Sequence, residues 1–158
     1  MITIKDLGFS YGDKAVLKNI TMTLEEGRIY GLLGENGVGK TTLLTLLCGL
    51  KKPLCGSIDT DGLKPYDREP SLLGSQYYLS DEVAAMNMKA REYADNYGRF
   101  WGGFDMEKFI EIMGVFENDP QQKMNRMSFG QLKKTYIAFA LACNTKYLFM
   151  DEPTNGMD

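Results

Sequence analysis

Apolar residues alternate with polar ones from Thr3 to Phe9 and cluster again from Ala15 to Leu24, either side of Tyr11-Gly12-Asp13, which predicts a hairpin leading an antiparallel sheet. Arg28 to Leu33 is a compact apolar run, Ile29-Tyr30-Gly31-Leu32-Leu33, that breaks at Gly34 and reads as a strand. The leucines of Thr41 to Leu50 then recur at helical spacing, Gly49 closes that helix, and an extended piece follows at Ser57 to Thr60. A further strand is expected at Leu73 to Leu79. From Asp81 to Asp119 the spacing turns helical, with Tyr93, Tyr97, Phe100 and Trp101 three and four apart, then Phe109, Ile112 and Met113. Ser128 to Cys143 predicts another helix. Tyr147 to Met150 is apolar at every position, as in a parallel strand buried on both faces, and it ends on Asp151-Glu152-Pro153.

The 158 residues fit one domain, and an apolar fraction of 44% is enough for a packed core. No run approaches the roughly 20 apolar residues that a bilayer-spanning helix needs, so membrane association is expected only through a partner. Eighteen Lys plus Arg stand against 21 Asp plus Glu, and a net charge of -3 offers no basic field for nucleic acid. Cys48, Cys55 and Cys143 form neither a C-x-x-C pair nor a metal spacing. They read as small buried hydrophobes in a reducing cytosol.

Gly34-Glu35-Asn36-Gly37-Val38-Gly39-Lys40-Thr41 matches G-x-x-x-x-G-K-[ST] between a predicted strand and a predicted helix. Glycines at 34, 37 and 39 let successive N-H groups turn inward, so that the loop becomes an anion cradle. The helix that follows adds the positive end of its dipole, Lys40 reaches β- and γ-phosphates, and the Thr41 hydroxyl suits Mg²⁺. Thr42 completes the expected ATP-binding set.

Asp151 and Glu152 end a strand, where ligands bind in open parallel sheets. A carboxylate there needs a cation, which assigns Asp151 to Mg²⁺ and leaves Glu152 to orient the water that attacks a γ-phosphate. A polar strand end turning at Pro153 is the plainer alternative. Ser128-Phe129-Gly130-Gln131 opens a helix as a capping box, Ser followed three residues later by Gln. Capping does not explain Gly130, which costs about 1 kcal/mol relative to Ala inside a helix and implies a close approach to the backbone, such as a second anion site.

Gly34 to Thr41, Ser128 to Gln131 and Lys146 to Asp158, in that order, resemble the ATP-binding cassette (ABC) ATPase family. The resemblance implies an α/β fold: a P-loop NTPase core with an antiparallel β subdomain and a helical subdomain at about 82–135, within one partial ABC domain spanning 1–158. It implies an ATPase that dimerises head to tail, with Ser128, Gly130 and Gln131 of one subunit acting in trans on ATP held by the other. Tyr11 matches the aromatic that stacks on adenine, although packing on the sheet would also explain it, and Asn155-Gly156-Met157-Asp158 matches the loop between the two sites. Expected cofactors are ATP and Mg²⁺. Expected partners are a second ABC subunit and integral membrane permease subunits, which would place the chain on the cytoplasmic face of a membrane.

The signature departs from Leu-Ser-Gly-Gly-Gln at Met127 and Phe129. The family's metal-binding glutamine has no clear counterpart: the match falls on Ser80-Asp81-Glu82, with Asp81 or Glu82 as substitutes, and Gln76 lies within the preceding strand. The family continues past Asp158 into a strand with a switch histidine, whereas this chain has no His, so a fragment of a longer protein is expected. Tyr93 to Met113 resembles bacterial exporters. Its aromatic residues either receive a coupling helix from a membrane partner or form the subdomain's core. The rival readings are a soluble ABC ATPase acting on ribosomes or nucleic acid, and a non-hydrolysing nucleotide sensor.

Overall fold

The computed structural model describes residues 1–157, in two compact units, one of residues Met1–Leu73 and one from Gly74 onward. In the first, β1 (Ile2–Tyr11) and β2 (Lys14–Leu24) form the expected hairpin, and β3 (Cys55–Thr60) pairs with the other edge of β1, all antiparallel, in the order β2-β1-β3. The register runs from Ile2 opposite Leu24 to Tyr11 opposite Lys14. A bulge at Asp6, φ 47°, interrupts it, and the Asp6 amide donates to the Thr21 hydroxyl at 2.9 Å instead of to the ladder. Ile2, Ile4, Leu7, Leu17 and Ile58 are buried, together with Leu43, Leu46 and Leu47 of helix α1 (Lys40–Leu47).

The expected strand at Arg28 to Leu33 does not form. Among the described residues nothing pairs with it as a strand, and Ile29 and Leu33 lie fully exposed. An apolar run states that burial is favourable, but a strand also needs a neighbour for its N-H and C=O groups. That neighbour is a non-local matter which periodicity does not carry. The segment is tied locally instead, by the Glu25 amide donating to the Tyr30 hydroxyl at 2.8 Å.

In the second unit β4 (Gln76–Leu79) runs parallel to β5 (Tyr147–Met150), Gln76 opposite Tyr147 and Leu79 opposite Met150. The short helix α2 (Pro70–Gly74), with Leu72 buried, takes up Leu73 and Gly74 of the strand expected at Leu73 to Leu79, which begins only at Gln76. Helices α3 (Ala90–Gly98) and α4 (Met106–Val115) pack on α5 (Phe129–Ala142), which is buried on almost every side and forms the axis of this unit. Phe139 sits at the centre, with the rings of Tyr93, Phe104, Tyr77 and Trp101 at 5.0, 5.3, 5.7 and 5.9 Å. These are the edge-to-face and tilted separations that aromatic quadrupoles favour.

The aromatic stripe is therefore mainly core. Tyr93 is buried, Tyr97 and Trp101 are partly buried, and the Trp101 indole donates to the Gln76 carbonyl at 3.0 Å; Phe100 alone of the four faces solvent. In β5 only Phe149 is fully buried, so the all-apolar run is half covered in this unit. Cys48 and Cys143 are buried, and burial pushes both thiols up to about 12, so they pack as inert hydrophobes. Cys55 is exposed, against expectation.

Candidate functional site

The first unit builds the phosphate loop. Gly34, Gly37 and Gly39 have φ of 157°, 81° and 112°, and the last two are conformations an L side chain rarely adopts. Glu35, Asn36, Gly37 and Val38 are exposed along the loop. Gly39 caps α1 without any side-chain hydrogen bond, so no side chain competes for the first amides of the helix. Lys40 crosses the mouth of the loop, its ammonium donating to the carbonyls of Gly34 at 2.7 Å and Glu35 at 3.2 Å. Thr41 is exposed in the first turn, while Thr42 is buried and turned toward the sheet.

Tyr11, at the end of β1, shares a 3.3 Å hydrogen bond between its hydroxyl and that of Thr42. That bond, with the nearby Lys51 ammonium, holds the phenol below its ordinary value. Phe9 meets the ring edge-on at 5.0 Å and the Lys51 ammonium stands 5.0 Å from its centroid. The ring is half exposed and anchored to the helix that the phosphate loop opens.

The second unit gathers the other candidates. Asp151 is only 4% exposed at the end of β5, where its amide donates to the Leu79 carbonyl at 2.9 Å and one carboxylate oxygen accepts from the Tyr78 hydroxyl at 3.4 Å. Glu152 is exposed with φ 44°, a left-handed conformation that lifts its side chain out of the strand direction. Two turns follow, Asn155 N-H to the Glu152 carbonyl and Met157 N-H to the Thr154 carbonyl, both at 3.2 Å. Asp158, the last residue of the expected communicating loop, lies outside the described residues.

Ser128 caps α5 reciprocally: Gln131 N-H donates to its hydroxyl at 3.2 Å, and Ser128 N-H donates to the Gln131 side-chain oxygen at 2.9 Å. A Cβ at Gly130 would lie 2.9 Å from the Gly156 carbonyl, and one at Gly156 would strike the Phe129 ring. The close approach inferred at Gly130 therefore has an occupant within the chain, namely the loop after β5.

Three residues that sequence reasoning passed over support this cluster. Tyr78 reaches Asp151. Buried Asn118 donates to the Gln131 carbonyl at 2.7 Å and the Thr135 hydroxyl at 3.2 Å, holding the first turn of α5. Lys133 is wholly buried and bonds Asp81. The available signal for Lys133 was a lone cation within an otherwise apolar helical face, next to Leu132, Tyr136 and Ile137. Asp81, one of the two suggested metal ligands, thus has a cation partner in the chain itself, while Gln76 is buried at the start of β4.

The described residues contain no group of three or more His, Cys, Asp or Glu that could hold a metal. The model of the ABC transporter family matches residues 17–155. The chain belongs to this family. Among its ABC relatives, the lantibiotic transport ATP-binding protein SrtF of Streptococcus pyogenes is 29% identical, over all of this chain and 69% of its own length. The petrobactin import ATP-binding protein YclP of Bacillus subtilis is 29% identical over 66% of its length, and the zinc import ATP-binding protein ZnuC of Photorhabdus laumondii 33% over 58%. The chain thus spans between 58% and 69% of these ABC proteins, importers among them.

Solved ABC structures share the fold. An ABC transporter ATP-binding protein from Pyrococcus furiosus superposes with a TM-score of 0.87 at 28% identity, covering 99% of this chain and 78% of that one. A dimeric bacterial ABC transporter cassette gives 0.84 at 25%, covering 100% and 76%. No helix of the described residues is long and apolar enough to cross a membrane.

Proposed function

We propose that this ABC chain binds and hydrolyses ATP as the motor of a transporter, pairing head to tail with a second ABC subunit. The observation that carries the proposal is the phosphate loop: glycines in left-handed conformations, α1 opening without a side-chain cap, and Lys40 spanning the mouth. In this reading the amides of Gly34, Glu35, Asn36, Gly37, Val38 and Gly39 hold the phosphates, Lys40 neutralises the β- and γ-oxygens, and Tyr11 stacks on the base. Tyr11 already presents a fixed, half-exposed ring. Ser128, Gly130 and Gln131 close on the γ-phosphate of the partner's nucleotide.

Phosphoryl transfer to water is mostly positioning and electrostatics. Glu152 accepts a hydrogen bond from the attacking water and orients it, and the left-handed backbone that exposes its carboxylate suits that role. Of the hard oxygens that Mg²⁺ prefers, the first unit offers the Thr41 hydroxyl and the second the buried Asp151 carboxylate; the ion would be held by these residue types and would supply charge neutralisation. With so few protein ligands it would depend on nucleotide phosphates and water, the ordinary mode for this ion.

The transport names of the relatives support membrane permease subunits as partners, and with them a peripheral position on the cytoplasmic face, over a role on ribosomes or nucleic acid. Retention of Lys40, Asp151 and Glu152 supports hydrolysis over mere nucleotide sensing. A phosphate-release assay tests the reading: Lys40→Met should lose ATP binding and turnover, and Glu152→Gln should lose turnover alone. Equal turnover in wild type and Glu152→Gln would sink the assignment.

A further inference from the structure

Lys133 is the least expected residue of α5. A lysine is almost never fully buried unless its charge is paired, and this one is 0% exposed, two residues past the signature. Its ammonium has three donors, and three acceptors surround it: the Asp81 carbonyl at 2.7 Å, the Asp81 carboxylate at 3.0 Å and the Ser80 carbonyl at 3.5 Å. The Asp81 carboxylate then accepts from the Asn155 side-chain amide, 3.3 and 3.4 Å from its two oxygens. One turn along α5, the Tyr136 hydroxyl holds the Ala84 carbonyl at 2.8 Å. The signature helix, the loop leaving β4 and the loop leaving β5 are thereby joined through a single buried cation.

We propose that Lys133 is a positioning residue for the ATPase cycle, acting through Asp81 on Asn155, so that the loop after Glu152 keeps its place relative to the signature. The role rests on the ATP-hydrolysing reading above. It assigns the carboxylate at the family's metal-binding glutamine position to an internal clamp. The packing of Gly156 against Phe129 and Gly130 works in the same direction, because the loop is pinned at Asn155 by charge-assisted hydrogen bonds and at Gly156 by shape.

Removing Asp81 alone would strand a buried charge and risk unfolding, so the pair is removed together as Asp81→Ala/Lys133→Met. Asn155→Ala, an exposed substitution, cuts the other end of the clamp. Amide exchange of residues 154–157, measured without nucleotide, should speed up roughly 3- to 30-fold in either variant and no further in the triple variant. In ATPase assays kcat should fall in the same non-additive way, with KM for ATP and the half-saturating Mg²⁺ concentration unchanged.

Exchange unaffected by the pair, or losses that multiply in the triple variant, would overturn the clamp. A raised Mg²⁺ requirement with unchanged exchange would overturn it in favour of metal ligation by Asp81. Because exchange is read without nucleotide, it judges the clamp independently of turnover, and an unmodified protein without ATPase activity would count against the functional reading alone.

Discussion

Gly39→Ala tests whether the phosphate loop is held by backbone conformation and by the hairpin beneath it. At φ 112° an alanine costs about 1–2 kcal/mol through its Cβ. That Cβ would also lie 2.8 Å from Val16 Cγ1 and 3.0 Å from Leu17 Cδ2, so β2 must yield, and overpacking of this kind costs about 1–3 kcal/mol. The two terms place the loss at about 2–5 kcal/mol. Gly37→Ala has the first term without the second, since its φ is 81° and no atom lies within 4 Å of its Cβ. Amide exchange of Leu43 to Leu47 in α1 reports the local stability. Gly39→Ala should destabilise it more than Gly37→Ala, and Val16→Ala, which removes the nearest methyl, should recover part of the loss only in the Gly39→Ala background. Equal effects of the two glycine substitutions, or no recovery, would refute the claim that the hairpin supports the loop.

Other perturbations are read more simply. Phe139→Ala removes the ring at the centre of four others and should cost about 3–5 kcal/mol, seen by urea denaturation followed through the fluorescence of Trp101, 5.9 Å away. Ser128→Ala removes the cap on Gln131 N-H and should lower stability by about 1 kcal/mol in the same assay; an unchanged midpoint would mean the capping box is dispensable. Tyr11→Phe keeps the ring but loses the Thr42 hydrogen bond, so ATP affinity should fall only slightly, whereas Tyr11→Ala should weaken it strongly, by titration with a fluorescent ATP analogue.

Local pattern was enough for what is locally caused. The turn Tyr11-Gly12-Asp13, the leucine spacing of α1 and the Ser128 capping box each state their structure within a few residues, and each formed as expected. What failed depends on distant partners. Arg28 to Leu33 has strand composition, yet no strand pairs with it among the described residues. Gly130 announced a close approach, but only the fold shows Gly156 arriving there. Lys133 shows in the sequence only as a cation on an otherwise apolar helical face, and its partner Asp81, 52 positions away, is supplied by the fold. The aromatic stripe of α3 was ambiguous for the same reason, because helical spacing alone does not say which side faces the core.

The central claim is an ATP-driven head-to-tail pair, and its most direct measurement is the mass of Glu152→Gln by size exclusion with light scattering, with and without ATP and Mg²⁺. Slowed hydrolysis should trap a dimer that appears only with ATP and that disappears again when Ser128 is replaced by a bulky residue. A protein that binds ATP yet stays monomeric under all conditions would contradict the trans role of Ser128, Gly130 and Gln131 and the mechanism built on it.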